Sequence, residues 1–309
     1  MGMIDQTEIK GRVGCEMKMT VECLPCLDRL IAMTVEAASP DPMLRERAST
    51  TAREFVLSMQ GEPLSAAHLA NRFYPLIQSI CGNPDPLSER KRREMDIAFG
   101  FAREYAPAES ASFRELIGFS GLGNAIDFFR PAEAMEAQLR LGASFAVDEV
   151  ARLEARLGSD CRSLLWLADN AGEAFFDLPV LQRLTEAGLR VLYAVKGGPV
   201  QNDVTLQDLQ DWLEREAAAW RGIEVIDTGV ATVGLELDKT STTFRRAFDN
   251  ADVIVAKGMG HYETLDGFGD PRLFFLLMAK CHPVSRALGA PVGGLAAFFA
   301  PNDACSDNS

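Results

Sequence analysis

The stretch Leu164-Leu165-Trp166-Leu167-Ala168-Asp169-Asn170-Ala171-Gly172-Glu173 decides how this chain is read. An apolar run of strand length gives way abruptly to an acid, an amide, a glycine and a second acid, and a helical pattern starts directly behind them. In an open α/β sheet, ligands bind outside the carboxyl ends of the strands, so a break of this kind marks the edge where chemistry sits. Asp169 and Asn170 offer hard oxygen donors suited to Mg²⁺, Mn²⁺ or a similar cation. Taken alone, the same residues also read as an Asx turn that caps a helix.

The pattern repeats downstream. Short apolar runs at 164–168, 190–195, 224–227, 251–256 and 273–277 are rich in Val, Ile, Leu or Phe, and helical patterns at 178–187, 206–219 and 242–248 separate the earlier ones. This β-α-β-α order predicts a mostly parallel, three-layer, doubly wound sheet. The 273–277 run also reads as the start of a helix. Upstream, residues from about 20 to 155 read as helices with no strand-like run. The loop signals Ser39-Pro40-Asp41-Pro42 and Gly82-Asn83-Pro84-Asp85-Pro86 separate them. The charged run Ser88-Glu89-Arg90-Lys91-Arg92-Arg93-Glu94 predicts a solvated helix face. The expected organisation is an all-helical subdomain over 1–155 attached to an α/β domain over 156–309, with a cleft between them as a natural ligand site.

Composition narrows the function. The chain has 309 residues, and its hydrophobic fraction of 47% supports a sizeable core. No apolar run reaches the roughly 18 residues a membrane span requires. Met1-Gly2-Met3-Ile4-Asp5-Gln6 has neither a basic flank nor an apolar core, so no secretory signal is expected and the cytoplasm is the default location. A formal net charge of −13 argues against a nucleic-acid or anionic-membrane partner. The seven cysteines are odd in number and dispersed, which is not a disulfide framework. Cys23-Leu24-Pro25-Cys26 has no second C-x-x-C or His pair to complete a structural zinc site; it reads as two small buried thiols on one helix face or as a redox pair at a helix start.

The expected strand ends share a chemistry. They carry Asp169-Asn170, then Lys196-Gly197-Gly198-Pro199 with Asn202-Asp203, then Asp227-Thr228-Gly229, then Lys257-Gly258-Met259-Gly260-His261-Tyr262-Glu263. In a parallel sheet these ends lie on one edge. Asp169, Asn170 and Asp203 together supply oxygen ligands for one divalent metal. Lys257 can neutralise an anionic oxygen, or simply snorkel from a strand end. Gly197, Gly198, Gly258 and Gly260 let backbone N–H groups approach a phosphate, or serve only as tight turns. Glu173 and Asp177 lie four apart at a helix start, where acids also favour the helix dipole. Asn124 and Asp127, three apart, share a face if their segment is helical and are candidates for the other wall of the cleft. No G-x-G-x-x-G, Walker or G-x-S-x-G motif is present.

In combination and order these motifs resemble the family long labelled domain of unknown function 89, described as metal-dependent damage-control phosphatases (ARMT-like). The matching pieces are Asp169 to Glu173 with Phe176-Asp177, Lys196 to Thr205, Lys257 to Leu265 and Gly123 to Phe128. The early Cys23-x-x-Cys26, Asn83-Pro84-Asp85-Pro86 and Lys280-Cys281 fit its stand-alone microbial branch, and the similarity runs from about residue 15 to the late 290s. The resemblance implies a helical N-terminal region on a Rossmann-like domain. It implies a divalent metal (Mn, Mg, Co or Ni) held by Asp169, Asn170 and Asp203, with Lys257 near the substrate phosphate. Asn124, Asp127, Glu173, Gly197, Gly258 and His261 are the candidate substrate-binding residues. The implied reaction is hydrolysis of small phosphometabolites, such as sugar phosphates, phosphopantetheine-like compounds or damaged metabolites. The family's competing label is a carboxyl methyltransferase using S-adenosylmethionine. That label fits poorly with a second strand ending in Lys196-Gly197-Gly198, where an acid would hold the ribose. A non-catalytic metal- or phosphate-binding module is the remaining alternative. His261 departs from the family, which usually has Asn there; it either alters the pocket or faces solvent in a turn.

Overall fold

The computed structural model describes residues 17–124 and 132–301. Each apolar run of the second half is a strand in it: β2 Ser163–Leu167, β3 Arg190–Val195, β4 Ile223–Asp227, β5 Val253–Lys257 and β6 Leu273–Met278. Two more, β1 Phe145–Asp148 and β7 Leu295–Phe299, complete a seven-stranded sheet of order β1-β7-β6-β5-β2-β3-β4. All neighbours are parallel except β6 and β7. The 273–277 run is therefore a strand and not a helix start. Every residue of β6 is buried, and a strand covered on both faces reads as a continuous apolar run with no period.

Alternation along each strand divides the core. Leu164 and Trp166 of β2, with Tyr193, Val255 and Phe274, face one helical layer: α4 Ser88–Glu104, α5 Phe113–Gly123, α7 Val150–Leu157, α8 Ala174–Glu186 and α9 Leu206–Arg215. Leu165 and Leu167, with Ala194, Ile254 and Phe275, face the other: α10 Thr242–Asn250, α11 Gly258–Leu265 and α12 His282–Leu288. The protein is thus α/β with three layers. The remaining helices are α1 Leu24–Ala38, α2 Pro42–Ser58, α3 Ala66–Cys81 and α6 Ala132–Leu141. The first three form their own apolar cluster, which reaches the sheet edge through Val200 and Val233.

Three expectations are corrected. A strand, β1, does precede residue 155. Its apolar run, Phe145-Ala146-Val147, is only three residues long and only half-buried on its inner face, and pairing with β7 fixes it as a strand. The charged run in α4 is not wholly solvated: Lys91 has no exposed surface, and its ammonium sits 3.0 Å from Asp85 and 2.8 Å from Asp208. A buried ammonium is tolerated only when paired in this way. Asp208 in turn closes a capping box with Thr205 at the start of α9, so Lys91 ties α4 to the loop after β3. Cys23 is half-buried and Cys26 exposed, because α1 turns Leu27, Ile31 and Val35 inward and leaves the thiols off that face.

Candidate active site at the carboxyl edge of the sheet

β2 lies between β3 and β5. The chain runs from β2 outward through β3 to β4, then crosses back to β5, so the crevice at the carboxyl ends of β2 and β5 is the topological switch point. Asp169 and Asn170 leave β2 there, and Gly258 opens α11 directly from β5. Asp203 arrives from the loop after β3. Gln201 adopts a left-handed conformation (φ 46°), and the turn closes as Asp203 N–H donates to Val200 O. The returning segment then pairs with the end of β2: Ala171 N–H donates to Asn202 O (2.8 Å) and Val204 N–H to Asp169 O (2.9 Å). An antiparallel bridge sets Asn170 opposite Asp203.

Beneath these residues lies a fully buried polar network. Glu173 Oε1 accepts from the amide groups of both Asn124 and Asn170, each at 2.6 Å. The same amides donate to Asp169 Oδ2, at 3.0 and 3.2 Å. With its NH₂ end committed to carboxylates, Asn170 presents its carbonyl oxygen as the acceptor end. Asn124 Oδ1 accepts from Met278 N–H (3.1 Å), which fixes the other amide from β6. Lys257 is also fully buried. It donates to Ser120 O (2.9 Å), Ser120 Oγ (3.0 Å) and Asp177 Oδ1 (2.6 Å), with Glu173 Oε2 at 3.2 Å. Asp177 Oδ2 accepts from Trp166 Nε1 (3.1 Å) and the Tyr193 hydroxyl (3.2 Å).

The charges do not balance. Four buried carboxylates, Asp169, Glu173, Asp177 and Asp203, face two buried ammonium groups, Lys196 and Lys257. Burial, reinforced by Glu173 and Asp203, pushes Asp169 well above the usual carboxylate range against the pull of Lys280 and Lys196. Burial likewise lifts Asp203 to about 6 despite Lys196 beside it. Asp203 Oδ2 and Glu173 Oε2 are buried without a hydrogen bond. A surplus of buried negative charge with an orphaned carboxylate oxygen fits a cation-binding site. Among the described residues, no three His, Cys, Asp or Glu side chains converge tightly enough to hold a metal ion by themselves. The donor set that fits is two carboxylates and one amide, Asp169, Asp203 and Asn170, which leaves room for water or substrate oxygens.

Two glycines permit this geometry. Gly258 has φ +75°, and a Cβ built there would lie 1.9 Å from Asp169 Oδ2. Lys257, the N-cap of α11, makes no side-chain cap, so the first N–H groups of that helix lack both a cap and intrahelical acceptors. Gly258→Ala is expected to displace the Asp169 carboxylate. Metal affinity should fall about 100-fold, and stability by about 2 kcal/mol from the left-handed backbone. Calorimetric metal titration and denaturant unfolding read the two effects separately. The second glycine, Gly234 (φ +65°), has Gly260 O 2.2 Å from where its Cβ would be, so loop and helix touch backbone to backbone.

The structure brings Asn124, Asp169, Asn170, Glu173, Asp203, Lys257, Gly258 and His261 to this one edge. His261 is not a solvated turn residue: it lies in α11 and is buried. Asn124 caps the end of α5 in place of extending a helical face, and Asp127 lies outside the described residues. Gly197 N–H is engaged by Val230 O (2.8 Å) and Thr228 Oγ1 (3.1 Å). Sequence reasoning missed Ser120 and passed over Lys196. Only the small residues Gly118, Ser120 and Gly121 hinted that α5 packs close enough for Ser120 to reach Lys257.

Glu263 belongs to a different environment. Its carboxylate accepts from Ala67 N–H at the start of α3 (3.0 Å), and burial, opposed only by that bond, raises it to about 7. The folded state therefore keeps a proton that the unfolded chain releases. The associated stability is full below the unfolded pKa of 4.5 and is lost as pH rises through about 7. Glu263→Gln keeps the acceptor and removes the titration. In denaturant unfolding of the metal-free protein it should gain about 1–2 kcal/mol near pH 8.5 and almost nothing near pH 5; the gain is discounted because the residue retains some exposure.

The chain belongs to the damage-control phosphatase ARMT1-like domain family, whose model matches residues 19–295. It is 32% identical to a damage-control phosphatase of Pyrococcus horikoshii over 284 residues, covering 90% of this chain and 97% of that one. It is 27% identical to a damage-control phosphatase of Archaeoglobus fulgidus over 292 residues, covering 91% of this chain and 99% of that one. The crystal structure of a DUF89 family protein from Pyrococcus horikoshii superposes with a TM-score of 0.80 at 31% identity, covering 92% of this chain and 99% of that one.

Proposed function

We propose that this chain is a metal-dependent phosphatase acting on small phosphorylated metabolites. The observation that carries the proposal is the set Asp169, Asn170 and Asp203 at the switch point, with its uncompensated negative charge and orphaned Asp203 oxygen. The names of the archaeal relatives support the same reading. A divalent ion (Mn, Mg, Co or Ni) held by those three residues would supply Lewis-acid polarisation of a phosphoryl oxygen and orientation of a water. The chain's own groups do the rest. Glu173 orders both amides, so Asn170 and Asn124 cannot rotate. The N–H groups at the start of α11 meet anionic oxygens along the helix dipole. Lys257 pairs with Asp177 and Glu173 from below and Lys196 lies beside Asp203, so the four carboxylates keep a surplus of negative charge over the two ammonium groups.

Sugar phosphates, phosphopantetheine-like compounds and damaged phosphometabolites of the cytoplasm are the substrates we would screen. The methyltransferase reading is disfavoured because β3 runs out into Lys196-Gly197-Gly198, with no acid to hold a ribose. The test is hydrolysis of an aryl phosphate by metal-stripped protein with Mg²⁺, Mn²⁺, Co²⁺ and Ni²⁺ restored one at a time. Metal-dependent release of phosphate is expected. Absence of turnover with every metal and with the screened metabolites would replace this reading with a binding role.

A further inference from the structure

Two lysines stand at the ends of β3 and β5, the strands that flank β2, and their surroundings differ. Lys257 has a full set of acceptors, since its three N–H groups are taken up by Ser120 O, Ser120 Oγ and Asp177 Oδ1. Lys196, equally buried, has only two: Gly234 O at 2.6 Å and His261 Nε2 at 3.2 Å. Its nearest carboxylate oxygen, Asp203 Oδ2, lies 3.4 Å away without hydrogen-bond geometry and is otherwise unsatisfied. Apart from this longer ion pair, one ammonium N–H is without a hydrogen bond beside the candidate metal set.

The His261 ring is fixed at both ends. Nδ1 lies 2.7 Å from Lys257 O, and a carbonyl can only accept, so Nδ1 carries the proton. An ammonium can only donate, so Nε2 offers its lone pair to Lys196. The buried ring beside that cation stays neutral. The second support of Lys196, Gly234 O, is held against α11 by the Gly234–Gly260 contact and by Leu235 N–H donating to Thr264 Oγ1 (3.0 Å).

We propose that His261 is a positioning residue: it holds Lys196 beside Asp203 so that the free ammonium N–H receives a phosphoryl oxygen of the substrate. The proposal rests on the phosphatase reading and deepens it. Lys196 is then the cation that touches the phosphate, while Lys257 is the counter-ion built into the fold.

The two ring nitrogens can be replaced separately. Asparagine reproduces the donor at Nδ1 but stops short of Lys196, whereas glutamine reaches as far as Nε2. His261→Asn should weaken binding of inorganic phosphate to the metal-loaded protein about tenfold, read by calorimetry, and raise KM by a similar factor with a smaller change in kcat. His261→Gln should stay within about twofold of wild type. Lys196→Met should show the same loss, and Lys196→Met/His261→Asn no further loss, because the two residues act as one unit. The outcomes separate cleanly. Unchanged phosphate affinity and KM in His261→Asn, equal losses in Asn and Gln variants, or losses that multiply in the double variant would each overturn the proposal. Phosphate binding that follows this pattern in a wild-type protein without turnover would sustain the Lys196–His261 pair and remove the phosphatase reading. Wild-type turnover with an unaffected His261→Asn would do the reverse. A wild type that binds no phosphate at all would remove both.

Discussion

Asp169→Ala is expected to abolish metal-dependent phosphate release while leaving a folded protein. The carboxylate sits where β2 ends, pinned by the amides of Asn124 and Asn170 and facing Glu173 and Asp203. Its removal takes away one of the two carboxylates of the proposed metal set. A loss of about 4 kcal/mol in transition-state stabilisation corresponds to about a thousandfold in rate. Stability should move the other way. Burial and two like charges raise the folded pKa of Asp169, so near neutral pH the ionised group opposes folding of the metal-free protein. Without metal, the variant should unfold at the same or higher denaturant concentration than wild type near pH 8, and the advantage should shrink toward pH 5. Turnover at wild-type rates would remove Asp169 from the site.

Lys257→Met is expected to have the opposite profile, a large loss of stability whatever its effect on rate. Deleting one partner of a fully buried ionic cluster leaves the other charges uncompensated, at a cost of about 3–5 kcal/mol. Here Asp177 and Glu173, both without exposed surface, would lose their only close ammonium among the described residues. The Trp166 and Tyr193 donors to Asp177 remain but carry no full charge. Adding Asp177→Asn should recover part of the loss, since one orphaned charge disappears with its partner. Urea unfolding of the single and double variants measures this directly. A Lys257→Met protein of native stability that fails only in turnover would assign the lysine to substrate alone.

The residues that carried the sequence reading did so because their signals are local. An apolar run broken by Asp-Asn-Ala-Gly-Glu needs only the strand-end rule to be placed, and β3 with Lys196 and β5 with Lys257 followed the same logic. What escaped is held by distant partners. Lys91 is buried because Asp208, more than a hundred positions later, meets it. Ser120 matters through Lys257, and His261 through Lys196, neither of which has a sequence period to betray it. β1 exists because β7 is there to pair with it; its own apolar run of three residues is too short to read as a strand. Asp177 was in view as a helix-dipole acid. Only the packing of α5 and α8 against β2 and β3 shows that it anchors the lysine of β5.

The edge pair β1 and β7 also bears on how this protein is born. Phe145 and Leu295 are hydrogen-bonded neighbours, and β7 is the last strand of the described chain to leave the ribosome. The strands that carry the metal-ligand candidates are all synthesised earlier, yet the sheet that supports them stays open along β6 until residues 295–299 appear. Once β7 is made, it covers the edge of β6 across a short antiparallel connection, whereas β1 must close the loop from Phe145 to Leu295. Long-range closure of that kind is slow. β1 is therefore the strand that the sheet adds last, although it is the first to be synthesised.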